Sequence, residues 1–300
     1  MSLIVPEAPR PVTAEELPVG GRRRLRLLRK RFLRRPMAVA GLVVVLGFVV
    51  MAIFAPLLAP YSAGHTDFNA VLAHSSSKHL LGTDDLGHDV LSRLIWGTRA
   101  SMQVGVFATL LAMVVAVPIG MLAGYYRGWV DLVIARLTDV LLAFPFLILA
   151  VGLAAILGPS LLNATLALGI GAIPGFIRIA RGETLALREE DYVPAAVLNG
   201  ANDATIIFRH ILPNMTNTLI VQATLTIPGA ILGEAILSFL GLGVQPPQSS
   251  WGTMLQEAEP YLTQAQRLAV YPGVAIILAV LAFNVLGDGL RDVLDPRTTR

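Results

Sequence analysis

Residues 37–59 read MAVAGLVVVLGFVVMAIFAPLLA, 23 positions without a charge. At 1.5 Å per residue a helix of that length reaches about 34 Å, enough to cross the hydrocarbon core of a bilayer. Directly before it stands RRRLRLLRKRFLRR, residues 22–35. A basic run abutting an apolar span reads as a cytoplasmic anchor, because Lys and Arg collect on the inner side of a membrane. A secretory signal has the same order of basic then apolar residues, but its apolar part is only about 7–15 residues long. The stretch is expected to be a retained membrane helix.

The rest of the chain agrees with that start. Of its 300 residues, 55% are hydrophobic and 14% charged, with a mean hydropathy of +0.68. A water-soluble domain carries roughly 25% charged residues, so this chain needs an apolar solvent. Cysteine is absent, which excludes disulfides and thiolate chemistry. Five more apolar stretches follow the first, at about Ala100–Gly124, Leu132–Leu157, Leu161–Arg181, Met215–Leu242 and Val270–Leu286. The fold class expected is an all-α integral membrane protein with six transmembrane helices. Pro118, Pro145, Pro174 and Pro228 fall inside spans, where neighbouring helices cover the freed carbonyls.

Basic residues set the orientation. With the N-terminus inside, the inner segments 1–36, 125–136, 178–214 and 287–300 hold 19 Lys and Arg, and the outer segments hold four, Lys78, Arg93, Arg99 and Arg267. That asymmetry puts both termini in the cytoplasm. The expected organisation is a basic segment 1–36, a first helix 37–59, an outer loop 60–99, a five-helix core 100–290 and a cytoplasmic tail 291–300.

No GxxxxGK[ST] nucleotide loop, HExxH or GxSxG occurs, so no catalytic constellation is found. The informative segment is 183–214, ETLALREEDYVPAAVLNGANDATIIFRHILPN. Glu189, Glu190 and Asp191 precede Tyr192-Val193-Pro194, as at a helix N-terminus with proline in its first turn. Ala195, Ala196 and Gly200 give a face of small residues, and Asn202 and Asp203 suit the cap of a second short helix running to His210. Such a helix fits a groove on another protein, or lies as an amphipathic loop on the membrane.

This segment resembles the EAA loop of ABC importer permeases, in which EAA is followed by three residues, Gly, nine residues and I-x-L-P. Ala195-Ala196, Gly200 and Leu212-Pro213 stand at matching places, while Pro194 takes the Glu position and His210 the Ile position. Tyr192, Ala201, Ile206, Arg209, Ile211 and Asn214 match the peptide-importer variant of the motif. HLLGTDDLGHDVLSRLIWGTRASM at 79–102 and SFLGLGVQPPQSSWGTML at 238–255 are similar to two further stretches of the C-type subunits of the dipeptide/oligopeptide (nickel) permeases, with His88 in the place of the usual Arg.

The resemblance implies a bacterial inner-membrane, multi-pass permease subunit for di- or oligopeptides, with nickel and oligosaccharide import as alternatives in the same family. Its implied partners are a second homologous permease, two ATPase subunits that hold ATP and Mg, an external substrate-binding protein and the lipid bilayer. No nucleic acid partner and no cofactor on this chain are implied. The EAA loop would be the coupling helix, with Tyr192, Ala195, Ala196, Gly200, Ala201, Asp203, Arg209 and Pro213 as the residues facing the ATPase. A membrane-embedded enzyme or receptor is the reading from another class.

Three ionisable residues inside the spans are candidates for the pathway or an interface. Arg136 and Asp139, three apart, are placed to pair on one helix face. Glu234 stands alone in its span, either lining the path or pairing with a neighbouring helix or the partner subunit. His65, His74, His79 and His88 share the first outer loop without a cluster of ligand spacing.

Overall fold

The computed structural model describes residues 21–294, so the start of the basic segment and the end of the cytoplasmic tail lie outside the described residues. Regular structure is helical throughout, and strand-like pairing is confined to two isolated bridges, Thr66 with His88 and Thr83 with Asp89. The first span is α2, Pro36–Ile53, continued by the single turn of α3, Ala55–Leu58. Before it runs the basic helix α1, Gly21–Leu33. Pro36 opens α2 where a missing N–H costs no helical bond.

The second span, α4, is Val90–Tyr126, 37 residues and therefore about 55 Å long. It starts at Val90 rather than at Ala100, because Asp89 caps it: the Asp89 carboxylate accepts from the Ser92 N–H at 2.8 Å and from the Ser92 hydroxyl at 2.7 Å. Hydropathy marks only the part inside lipid, so composition alone places this outer extension in the loop 60–99.

The third span is broken. In place of one helix over Leu132–Leu157 there are α5, Gly128–Leu142, and α6, Phe146–Leu157, bent by 86° from each other. Pro145 lacks the N–H that would continue α5, and proline disfavours a helical Phe144 before it. Proline alone does not decide the break: Pro174, Pro228 and Pro272 are buried in helices that stay continuous, and α4 stays continuous at Pro118, which is exposed as Pro145 is.

Next come α7, Leu161–Arg188; α8, Tyr192–Leu198; α9, Asp203–Thr205; a π-helical turn, Ile206–Ile211; and α10, Leu212–Phe239. The second short helix, expected to run only to His210, has no end there. Instead the helix runs on from Asp203 to Phe239, since Pro213 stands in the first turn of α10. Then α11, Trp251–Ala258, precedes the last span, α12, Arg267–Leu294.

Contacts sort the chain into two ends. Arg35 pairs with Asp292, Arg127 with Glu189 and Arg181 with Asp131 at one end. At the other, Arg93 pairs with Glu257, and Arg267 donates to the Leu72 and Ala73 carbonyls at 3.0 Å. The bent pair leaves the first end, where Asp131 sits, and arrives at the second, where Asn163 holds the Leu157 carbonyl. Taken as one broken span, the pair brings the helices long and apolar enough to cross a membrane to six among the described residues.

Hydrocarbon offers no hydrophobic drive between helices, so close fit holds the bundle. A Cβ on Gly120 would stand 2.6 Å from the Ile177 carbonyl, and one on Gly124 would stand 2.7 Å from that of Arg181. Glycine there brings α4 and α7 into backbone contact. Trp251 is fully buried, edge-on to Phe48 at 5.5 Å, and fastens α11 to the first span.

Candidate coupling surface

Between α7 and α10 the chain leaves the bundle at the end where the inner basic residues gather. Of α8, Val193 is buried and Tyr192 and Ala196 are half-buried against a cluster that includes Met121, Ala180, Ile206, Ile211 and Met215. Pro194, Ala195, Val197 and Leu198 point away, with Leu198 89% exposed. The expected small-residue face is therefore divided. Successive helical residues are about 100° apart, so Ala196 packs inward while Ala195 faces out.

Gly200 ends this helix with φ +79°. Its N–H donates to the Val197 carbonyl at 2.9 Å, and the Ala201 N–H donates to that of Ala196 at 3.0 Å. Those two bonds make a left-handed helix stop, the geometry that glycine adopts at little cost. Open space surrounds a Cβ built at Gly200, so its requirement is conformational.

Asn202 restarts the chain by accepting from the Thr205 N–H at 2.8 Å. Asp203 accepts from the Tyr125 hydroxyl at 2.9 Å, and the Arg188 guanidinium lies 5.3 Å from the centre of the Tyr125 ring. Tyr125 thus ties the last turn of α4 to both flanks of α8, a role that sequence spacing does not reveal. Burial, with Glu190 adding to it, pushes the Tyr192 phenol above its ordinary pKa, although Asn214 pulls the other way. Arg209 and Phe208 are exposed on the π-helical turn and Pro213 is exposed just beyond it. From Asp203 onward these residues share one continuous helix with α10, so a push on them reaches the membrane span directly.

The three ionisable candidates are distributed differently from the expectation. Asp139 faces Arg178 of α7 at 3.4 Å rather than Arg136, because α5 and α7 run side by side here. Among the described residues Arg136 is exposed and in no ion pair. Glu234 is fully buried but not alone: the Ser101 and Ser238 hydroxyls each donate to its carboxyl at 2.7 Å. A carboxyl held in that way links α10 to α4, and its cost in an apolar span is offset by both bonds. Gly233 beside it admits the Leu168 side chain, and Gly229 opens on a cavity.

A second polar cluster lies at the opposite end, where sequence spacing shows only scattered histidines. Asp84 accepts from the His88 ring at 2.8 Å, the His88 N–H at 2.8 Å and Arg93 at 2.6 Å. Arg93 also holds Glu257, and His79 meets Asp89 at 3.0 Å. Burial works against the Asp84 charge, yet His88 and Arg93 outweigh it and hold this carboxyl below its ordinary pKa. Asp85 is pushed up by burial and by the neighbouring Asp84 charge. The signal in the sequence was Asp89 three residues before Ser92, a capping pattern that starts a helix.

Six spans with an exposed short helix between the fourth and fifth match known proteins. Residues 116–300 match the family described as binding-protein-dependent transport system inner membrane component, and residues 24–74 match the N-terminal TM domain of oligopeptide transport permease C. The chain belongs to this permease family. It is 44% identical over 268 residues to the dipeptide transport system permease protein DppC of Alkalihalophilus pseudofirmus, covering 89% of this chain and 88% of that one. With the glutathione transport system permease protein GsiD of Pectobacterium atrosepticum the identity is 46% over 269 residues, 89% of each chain. In fold it is similar to the MetNI methionine ABC transporter in an inward-facing form, with a TM-score of 0.55, 20% identity and coverage of 68% of this chain and 96% of that one. The protein is accordingly a permease subunit of a binding-protein-dependent ABC importer, multi-pass in the bacterial inner membrane. Its relatives are transport subunits rather than enzymes, and membership implies ATPase and substrate-binding protein partners.

Proposed function

We propose that this permease forms half of a path for di- and oligopeptides, paired with a second homologous permease above two ATPase subunits. ATP and Mg belong to those subunits in this reading, and the chain itself carries no cofactor. The observation that carries it is α8: a short helix outside the lipid-spanning bundle whose outward edge, Pro194, Ala195, Val197 and Leu198, is exposed while its inward edge is packed. Apolar side chains left exposed on a rigidly seated helix suit a groove on a partner. Tyr192, Ala196, Gly200 and Ala201 set the pose of that edge, Asp203 anchors it, and Arg209 and Pro213 begin the route into α10. The peptide cargo is supported by the dipeptide and glutathione permeases among the relatives.

Reconstitution of the four-component complex with its binding protein in vesicles tests this reading. Labelled dialanine should accumulate only with ATP inside. Accumulation of nickel or an oligosaccharide in its place, or of nothing, would overturn the peptide reading.

A further inference from the structure

At the outer end a cavity of about 720 Å³ lies between α4, the start of α7 and the loops that follow α3 and precede α11. That is the size of a small-molecule site. Trp96, Arg99 and Gln103 line it at spacings of three and four, on one face of α4. Across from them stand Gln248, Ser249 and Ser62, and no carboxylate lines the cavity. Ser249 is only 2% exposed, and its hydroxyl has no hydrogen-bond partner. A buried hydroxyl in that state is costly, and an acceptor in the cavity would satisfy it.

Charge singles out the same place. Of the three arginines at this end, Arg93 is held by Asp84 and Glu257, and Arg267 donates to the Leu72 and Ala73 carbonyls. Arg99 is exposed and, among the described residues, in no ion pair. Trp96 directs its ring N–H to the Tyr61 carbonyl at 3.2 Å, which leaves its ring as an apolar wall. A planar fork of donors, two amides and two hydroxyls around an apolar wall are complementary to a carboxylate on a small organic body.

We propose that this cavity is a carboxylate subsite that receives the acidic end of the transported peptide on the outer side; the assignment of the ligand rests on the peptide reading above. Arg99 supplies the charge, Gln103, Gln248 and Ser249 supply neutral donors, and Trp96 packs against the peptide's carbon frame. The phosphate of an anionic lipid offers the same chemistry, so the test separates the two sources.

Because the chain has no cysteine, Arg99→Cys gives this subunit a single thiol at the site. In the reconstituted complex, dialanine uptake by Arg99→Cys should fall about tenfold, the loss of one charge-assisted bond. Coupling a cationic aminoethyl group to the thiol should restore most of it, and an anionic sulfonatoethyl group should not. Wild-type uptake should be the same in vesicles of neutral phosphatidylcholine and in vesicles doped with phosphatidylglycerol. Unchanged uptake in Arg99→Cys, equal rescue by both reagents, or a thiol that neither reagent reaches would each overturn the subsite. A wild-type complex that falls to the mutant rate in neutral vesicles would assign the cavity to lipid and overturn it as well. Wild-type complex that moves no dialanine would sink the peptide reading and the subsite together, whereas active wild type with an equally active mutant would sink the subsite alone.

Discussion

The two ends of this permease handle their polar and apolar surface in opposite ways. At the outer end, buried charges are paired within the chain: Asp84, His88, Arg93 and Glu257 bind the first outer loop to α4 and α11, and His79 with Asp89 does so again. At the inner end α8 presents Leu198 and Val197 to the outside, with the polar bonds of Asn202, Asp203 and Gly200 devoted to holding that presentation still. The buried charges of one end are satisfied within the chain, while the exposed edge of α8 at the other is shaped for something else. A closed network contributes to folding, and an exposed apolar edge on a fixed helix contributes to association.

Substitutions that act on only one end put this contrast at risk. The largest effect is expected at Ala195, which faces outward. In the proposed ATPase groove Ala195→Asp would leave an unpaired carboxylate, at a cost of about 3 kcal/mol or more, and ATP hydrolysis stimulated by loaded binding protein should fall by roughly a hundredfold. Membrane insertion and thermal stability of the subunit should stay as they are. Ala196→Asp, half-buried, should lose stimulation and lower the unfolding midpoint too, because it loosens α8 from its seat. Normal stimulation in Ala195→Asp would remove α8 from the coupling path.

Arg93→Leu is the mirror image. It leaves Asp84 and Glu257 facing each other across a site where the Arg93 and Asp84 side chains are each only 8% exposed. A loss of about 3 kcal/mol is expected, discounted because Glu257 is partly in water. Thermal unfolding of the purified complex should come several degrees earlier, with the fold-stimulation of the surviving complex unchanged. If stimulation vanished and the midpoint held, the outer end would be part of the moving machinery.

The smallest effect is a dependence on pH. The Asp84 carboxyl titrates below its ordinary value of 3.8 in the folded protein. Its contribution to stability is therefore complete above that value and disappears as acid carries the pH down through the lower, folded pKa. The stability gap between wild type and Asp84→Asn should accordingly narrow as the pH falls from 3.8 through the lower, folded pKa. A gap that persists in acid would mean that Asp84 acts through packing or neutral hydrogen bonds.

The spans were legible because they rest on composition, which lipid enforces along the whole chain. The break at Pro145 was not, because the same residue type passes through α4, α7, α10 and α12 without a break. Nor did spacing show Asp139 turning to Arg178, Glu234 meeting Ser101, or Tyr125 reaching Asp203. Each of those pairs joins residues on different elements, and a helix face read alone contains no record of its neighbour.

The length of α4 has a mechanical consequence. A 37-residue helix is a rod of about 55 Å that outreaches the lipid at one end, where Asp89 and Arg93 clamp it, and ends at Tyr125 beside α8 at the other. With one end clamped, a tilt of roughly 5° carries the far end of such a rod through about 5 Å, the rise of one helical turn. Angular displacements too small to disturb the outer clamp thus become displacements of a whole turn where the ATPase would sit, and α4 serves as the long arm of a balance.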